Sequence, residues 1–275
     1  MSASFVVVPQ WQGSGSSRAM RLVDGAEAIR GDLPVASTFS VNVPLEAGDE
    51  LATGVARAGS LRLVHERTLA VLAEIDGWAI TIGGDCGVSL AAVGHATERT
   101  GGDLAVVWLD AHPDLNTPQT SPSGAFGGMV LRALTGDGVE GLVPRVPVAS
   151  SHVVIAGVRS TDEGEERYLA AAGIRPVGVA ELATPDALLA AIAATGASSV
   201  YVHIDVDVLD PAEISGLNNP VPFGLSASAL TDLVRAVKAE YPLAGATLAG
   251  FTPASPEAAV DDLGTLLRVI GALTA

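Results

Sequence analysis

Short apolar runs rich in β-branched residues recur along the chain: SFVVVP, WAITIGG, LAVVWLDAH, HVVIAGV, SVYVHIDVDV and AGATLAGF. Their hydrophobicity is near-continuous rather than alternating, the pattern of strands buried on both faces. Between them lie Ala-, Leu- and Glu-rich segments of helical length at 57–74, 87–99, 162–172, 184–195, 226–240 and 257–273. This alternation predicts a three-layer α/β/α fold with a mostly parallel sheet. Two stretches interrupt it, 113–128 (PDLNTPQTSPSGAFGG) and 210–224 (DPAEISGLNNPVPFG), both dense in Pro, Gly, Ser and Asn. They read as long loops. Each follows a strand, which places it at the carboxyl edge, where parallel sheets bind ligands. Neither repeats nor a linker interrupt the pattern, so one domain over residues 1–275 is expected.

Composition narrows the partners. Hydrophobic residues make up 48% of the chain, ample for a large core. Against 15 Lys and Arg stand 31 Asp and Glu, a formal charge of -16 that repels nucleic acid and anionic membranes. No segment approaches the roughly 20 apolar residues of a membrane span, and MSASFVVVPQ lacks a basic leader. A soluble, cytoplasmic protein with a small-molecule partner is expected.

The acidic residues are not evenly spread. In WLDAHPDLN, Asp110, His112 and Asp114 alternate; in YVHIDVDVLDP, Tyr201, His203, Asp205 and Asp207 do the same. In extended chain this spacing points each set to one side. Carboxylates crowded on a buried face repel one another, and a cation there removes the penalty. Asp-x-His or Asp-x-Asp alone is an ordinary turn device. Two such clusters at corresponding strand ends favour divalent metal, with an oxygen-rich donor set suited to Mn²⁺. So many carboxylates suggest two ions sharing ligands and lowering the pKa of a water between them.

The only cysteine, Cys86, lies in IGGDCGVSL where a strand gives way to a helix. It can be a core thiol, a metal ligand, or a nucleophile whose thiolate a helix N-terminus stabilises. Its neighbour Asp85 reads as a helix cap. His65, His95 and His152 read as structural. His203 shares the face of Asp205 and Asp207 and lies between a structural role and one supporting the ligands.

With GGDCGVSL, DAHPDLNT, Ser123-Gly124, GVRSTDEGE and HIDVDVLDP in order, nearly the whole chain resembles the ureohydrolase (arginase and agmatinase) family. The resemblance implies a roughly eight-stranded arginase-like sheet and a binuclear Mn²⁺ centre. One ion would take Cys86, Asp110, Asp114 and Asp205; the other would take Asp110, His112, Asp205 and Asp207. It further implies that Asp114 passes a proton to the departing amine. Asn116 and Ser123 would hold a substrate α-carboxylate. Asp162 and Glu165 would face its α-amino group, although their first-turn position would also make them helix caps. The family's trimers and hexamers suggest a homo-oligomer, although LLRVIGALTA lacks the tail some arginases use in assembly.

Three positions depart from the family pattern. Cys86 stands where the family has a histidine ligand, Gly127 where arginases carry a proton-shuttling histidine, and Gly250 where they place a glutamate against the guanidinium. A guanidinium stays charged and gains from a carboxylate; an N-hydroxyguanidine is far less basic and does not need one. The resemblance thus points to hydrolysis of N-omega-hydroxy-L-arginine to L-ornithine and hydroxyurea, in D-cycloserine biosynthesis. Arginase, formimidoylglutamase or related activity, and a non-catalytic metal-binding role, stand as alternatives.

Overall fold

A computed structural model describes residues 3–275. Its sheet comprises β1 (Ser4–Val8), β2 (Thr38–Ser40), β3 (Ala79–Gly83), β4 (Ala105–Leu109), β5 (Val153–Ala156), β6 (Val200–Asp205) and β7 (Leu243–Ala249). The strand order is β2-β1-β3-β7-β6-β4-β5, and every pairing is parallel. Alternate strand residues enter two separate cores. On one face Val7, Ile82, Val107 and Ile204 pack with α1 (Arg21–Arg30), α6 (Asp186–Thr195), α7 (Ala227–Glu240) and α8 (Pro256–Thr274). On the other, Val6, Val106, Trp108 and Tyr201 pack with α2 (Ala58–Ala73), α3 (Ser89–Arg99), α4 (Val130–Leu134) and α5 (Glu163–Ala172). Burial on both faces accounts for the unbroken apolar runs.

Helix boundaries follow local chemistry. Ser226 and Ser255 accept hydrogen bonds from the N–H groups of Ala229 and Ala258, both at 3.2 Å, at the starts of α7 and α8. Gly173 and Gly196 end α5 and α6 in the left-handed conformation.

The sheet has seven strands rather than roughly eight. Beyond β5, where another strand would pair, only Val177 bridges Ala156. Pro176 and Gly178 flank it, one lacking a donor and the other weakening extended chain. Three elements escaped the hydrophobic pattern, one of them the five-residue α4. Helix α1 contains Gly25, which reads as a breaker but is there for packing: a Cβ would lie 2.0 Å from the carbonyl oxygen of Phe251. Strand β2 is a three-residue edge of half-buried and exposed side chains. Among the described residues, no helix is long and apolar enough to cross a membrane.

This topology positions the site. The chain passes from β3 to β4 without pairing them, and β7 and β6 later fill the gap. The carboxyl ends of β3, β7, β6, β4 and β5 thereby converge where the winding reverses, the usual ligand position in an open parallel sheet.

Candidate metal centre

A cavity of about 390 Å³ opens over those strand ends. Cys86, Asp110, His112, Asp114, Asp205 and Asp207 all line it, as do Asn116, Ser123, Asp162 and Glu165. Residues remote in sequence are thus brought together by one edge of one sheet.

Three aspartates share one device: an oxygen anchored on backbone, the other free for the cavity. Asp110 Oδ1 accepts the His112 N–H (2.7 Å), Asp205 Oδ1 the Asp207 N–H (2.8 Å), and Asp207 Oδ1 the Ala111 N–H (3.1 Å). Their Oδ2 atoms then meet the remaining donors. Cys86 Sγ lies 2.9 Å from Asp205 Oδ2 and 3.9 Å from Asp110 Oδ2, and His112 Nδ1 lies 3.1 Å from Asp207 Oδ2. Asp114 is buried and its Oδ2 has no partner. The backbone corrects one expectation. Strand β4 stops at Leu109 and Asp114 adopts φ 52°, so Asp110, His112 and Asp114 converge through bends rather than strand alternation. Asp207 likewise sits in the 3-10 turn Val206–Val208 after β6.

The electrostatics call for cations. Burial, then repulsion from Asp207, pushes Asp205 up to about 8; burial, then Asp110, pushes Asp207 up to about 6. Burial and the charge of Asp110 push Asp114 well up. For His112 burial opposes the charged form, but its bonds to Asp110 and Asp207 prevail and push it up to about 12. Among the described residues, no Lys or Arg lines the cavity. Four carboxylates, an imidazole and a sulfur around one space, with an orphaned Asp114 oxygen, fit divalent ions. A nucleophilic Cys86 fits poorly: without a cation, burial and the charges of Asp205, Asp114 and Asp110 push its thiol well up, against the free thiolate a nucleophile needs.

Neighbouring residues have separable jobs. Asp85 caps the turn after β3 through the Gly87 N–H (2.9 Å) and also accepts from Gly13 N–H and Gln10 Nε2. Glu165 accepts the N–H groups of Leu115 (3.0 Å) and Asp162 (2.9 Å), so it holds the 113–116 bend and the start of α5. Asn116 Nδ2 donates to Asp162 Oδ2 (2.8 Å). The guanidinium of Arg159, from the GVRS motif, donates to the carbonyls of Asp207 (2.7 Å), Val221 (2.8 Å) and Pro222 (3.1 Å).

Sequence reading missed the third wall. Ser14, Gly15 and Ser16 after β1, with Asn218 and Asn219, complete the lining. The Gly/Ser run QGSGSS was a visible loop signal, and the asparagines fall in the 210–224 loop.

Gly250 closes the floor. Its φ is +87° and a Cβ would sit 2.2 Å from Asp205 Oδ1. Gly250→Ala is therefore expected to displace the Asp205 carboxylate, weaken divalent-ion binding at least tenfold in equilibrium dialysis, and cost about 1–3 kcal/mol of stability. Parental affinity in that variant would disprove the packing constraint. Gly127 has no such strain, with Gly13 O at 3.2 Å as its nearest neighbour.

The chain belongs to the arginase family, whose sequence profile matches residues 15–262. It is a hydrolase of the class that cleaves C–N bonds of amidines. It is 30% identical to an arginase of Entamoeba histolytica over 197 residues, 66% of this chain and 64% of that protein. It is 29% identical to the N(omega)-hydroxy-L-arginine amidinohydrolase of Streptomyces lavendulae over 264 residues, 94% of this chain and 90% of that one. A solved structure of Entamoeba histolytica arginase in complex with L-ornithine superposes with a TM-score of 0.87 at 22% identity, covering 99% of this chain and 97% of that one.

Proposed function

We propose that the protein hydrolyses N-omega-hydroxy-L-arginine with water, giving L-ornithine and hydroxyurea, at a centre built for two manganese ions. The observation carrying this reading is the floor of the cavity: Gly250 offers no carboxylate, and the contact with Asp205 leaves no room for a side chain there. A permanently charged guanidinium would lack the partner that stabilises it, whereas a weakly basic hydroxyguanidine loses nothing. The Streptomyces lavendulae relative, matched along nearly the full chain, supports the same substrate.

Cys86, Asp110, His112, Asp114, Asp205 and Asp207 are the residues that would hold the ions. When bound, the ions supply Lewis acidity that lowers the pKa of a water. Water's oxygen joins the guanidino carbon, the bond to the ornithine side-chain nitrogen breaks, and that nitrogen takes a proton. Asp114 delivers it in this reading, which its burial and unpartnered Oδ2 support. Asn116 and Ser123 receive the α-carboxylate, and Asn116 retains a second N–H beyond the one bonded to Asp162. Asp162 faces the α-amino group, and Glu165 holds Asp162 and the 113–116 bend in place. We assign the hydroxyurea to D-cycloserine biosynthesis on the resemblance alone.

An arginase reading has support from relatives of that name at similar identity. Separate assays of urea and hydroxyurea, with L-arginine and N-omega-hydroxy-L-arginine at equal concentration, decide between them. At least a hundredfold preference in kcat/KM for the hydroxylated substrate is expected. Preference for plain arginine would reject the proposal, and full metal occupancy with no turnover on either would favour a binding role.

A further inference from the structure

His203 lies on β6 with its ring entirely buried, stacked on Trp108 of the adjacent β4 at 3.5 Å between centroids and 11° between planes. Its Nδ1 lies 2.8 Å from Ser89 Oγ, and that hydroxyl is oriented to donate to Thr247 Oγ1 at 3.1 Å. A hydroxyl has one proton. In the arrangement where that proton goes to Thr247, Ser89 accepts from His203, Nδ1 carries the hydrogen and Nε2 presents a bare lone pair.

Among the described residues, Nε2 has no hydrogen-bond partner. It points at the candidate centre: Nε2 is 3.9 Å from Asp110 Oδ2, and the donor atoms of Cys86, Asp110 and His203 all lie within 4.8 Å of one another. A bare lone pair buried 3.9 Å from a carboxylate oxygen and facing a sulfur is a placement that a cation among the three satisfies. A metal-ligating imidazole has its other ring nitrogen fixed by a hydrogen bond, and Ser89 is in position to fix Nδ1 here.

We infer that His203 Nε2 is a metal ligand, binding the ion that Cys86 faces and supplying from β6 the nitrogen that the turn after β3 lacks. The sequence motif conceals this role because His203 lies two residues before the acidic pair, inside a strand. The inference rests on the proposed metal centre and adds a seventh protein donor to it.

The test uses the intact protein loaded with Mn²⁺ alone and labelled with ¹⁵N-histidine. Electron spin-echo modulation should detect two kinds of bound imidazole, one lost in His112→Ala and the other in His203→Gln. In His203→Gln, one of two Mn²⁺ should bind at least about 100-fold more weakly while the far-ultraviolet circular dichroism is unchanged. Ser89→Ala, which keeps the ring but removes its Nδ1 partner, should weaken the same ion about tenfold. If His203→Gln fails to fold, the imidazole count of the native protein decides. Two bound Mn²⁺ with a single imidazole overturns this inference and leaves the proposed function standing, whatever His203→Gln does to the affinity. No bound Mn²⁺ overturns both.

Discussion

Asp205→Asn removes at least 1,000-fold of the turnover, about 4 kcal/mol of barrier, and at the same time makes the metal-free protein more stable. The two effects have one origin. Asp205 is buried beside Asp207, and burial is the larger cause of its pKa of about 8. In the absence of cations its charge is unfavourable, and taking up a proton at neutral pH is also costly. The amide keeps the shape and the bond from the Asp207 N–H, without the charge. A gain of about 1–3 kcal/mol at pH 7.5 in chelator is expected from urea unfolding. A variant less stable than its metal-free parent would show that the carboxylate is needed for the fold rather than for a cation.

Metal removal should also give the protein an unusual stability profile against pH. Asp205 at about 8, Asp207 at about 6 and Asp85 at about 6 are all raised from 3.8. Each binds its proton more tightly folded than unfolded, so the folded state holds excess protons above about pH 4 and stability falls as pH rises toward 8. His112, raised from 6.5 to about 12, acts in the same sense, its contribution intact below 6.5 and lost as pH climbs from there. Each excess proton gives a slope of about 1.4 kcal/mol per pH unit. Chelator-treated protein should therefore lose roughly 10 °C in Tm between pH 5 and 8, while Mn²⁺-loaded protein stays nearly level. A level or rising Tm in chelator would remove the electrostatic basis for a cation site.

Layering and the six main strands were legible because strands buried on both faces carry an unbroken apolar signal. Helix α1 was not, because Gly25 serves a backbone contact with Phe251 made across the whole chain. The acidic clusters were visible as spacing, but spacing misjudged their geometry: the αL turn at Asp114 and the 3-10 turn at Asp207 bring the carboxylates together. Asp85 as a cap is what the structure shows. For Glu165 the capping contacts are explicit, and its place in the cavity is a second property of the same side chain. His203 was hardest to read, because its meaning depends on the proton of Ser89, which lies 114 positions away.

Arg159 has a consequence for anyone reshaping this scaffold. One guanidinium joins the turn carrying Asp207 to Val221 and Pro222, so the 210–224 loop is fastened at the same point as a candidate ligand. Grafting a foreign loop there would free both at once. In the neighbouring 113–128 segment Thr120 Oγ1 donates to Asn116 Oδ1 at 2.8 Å, whereas Gln119 beside it is exposed, and that single position is where diversity can be introduced while the centre is left intact.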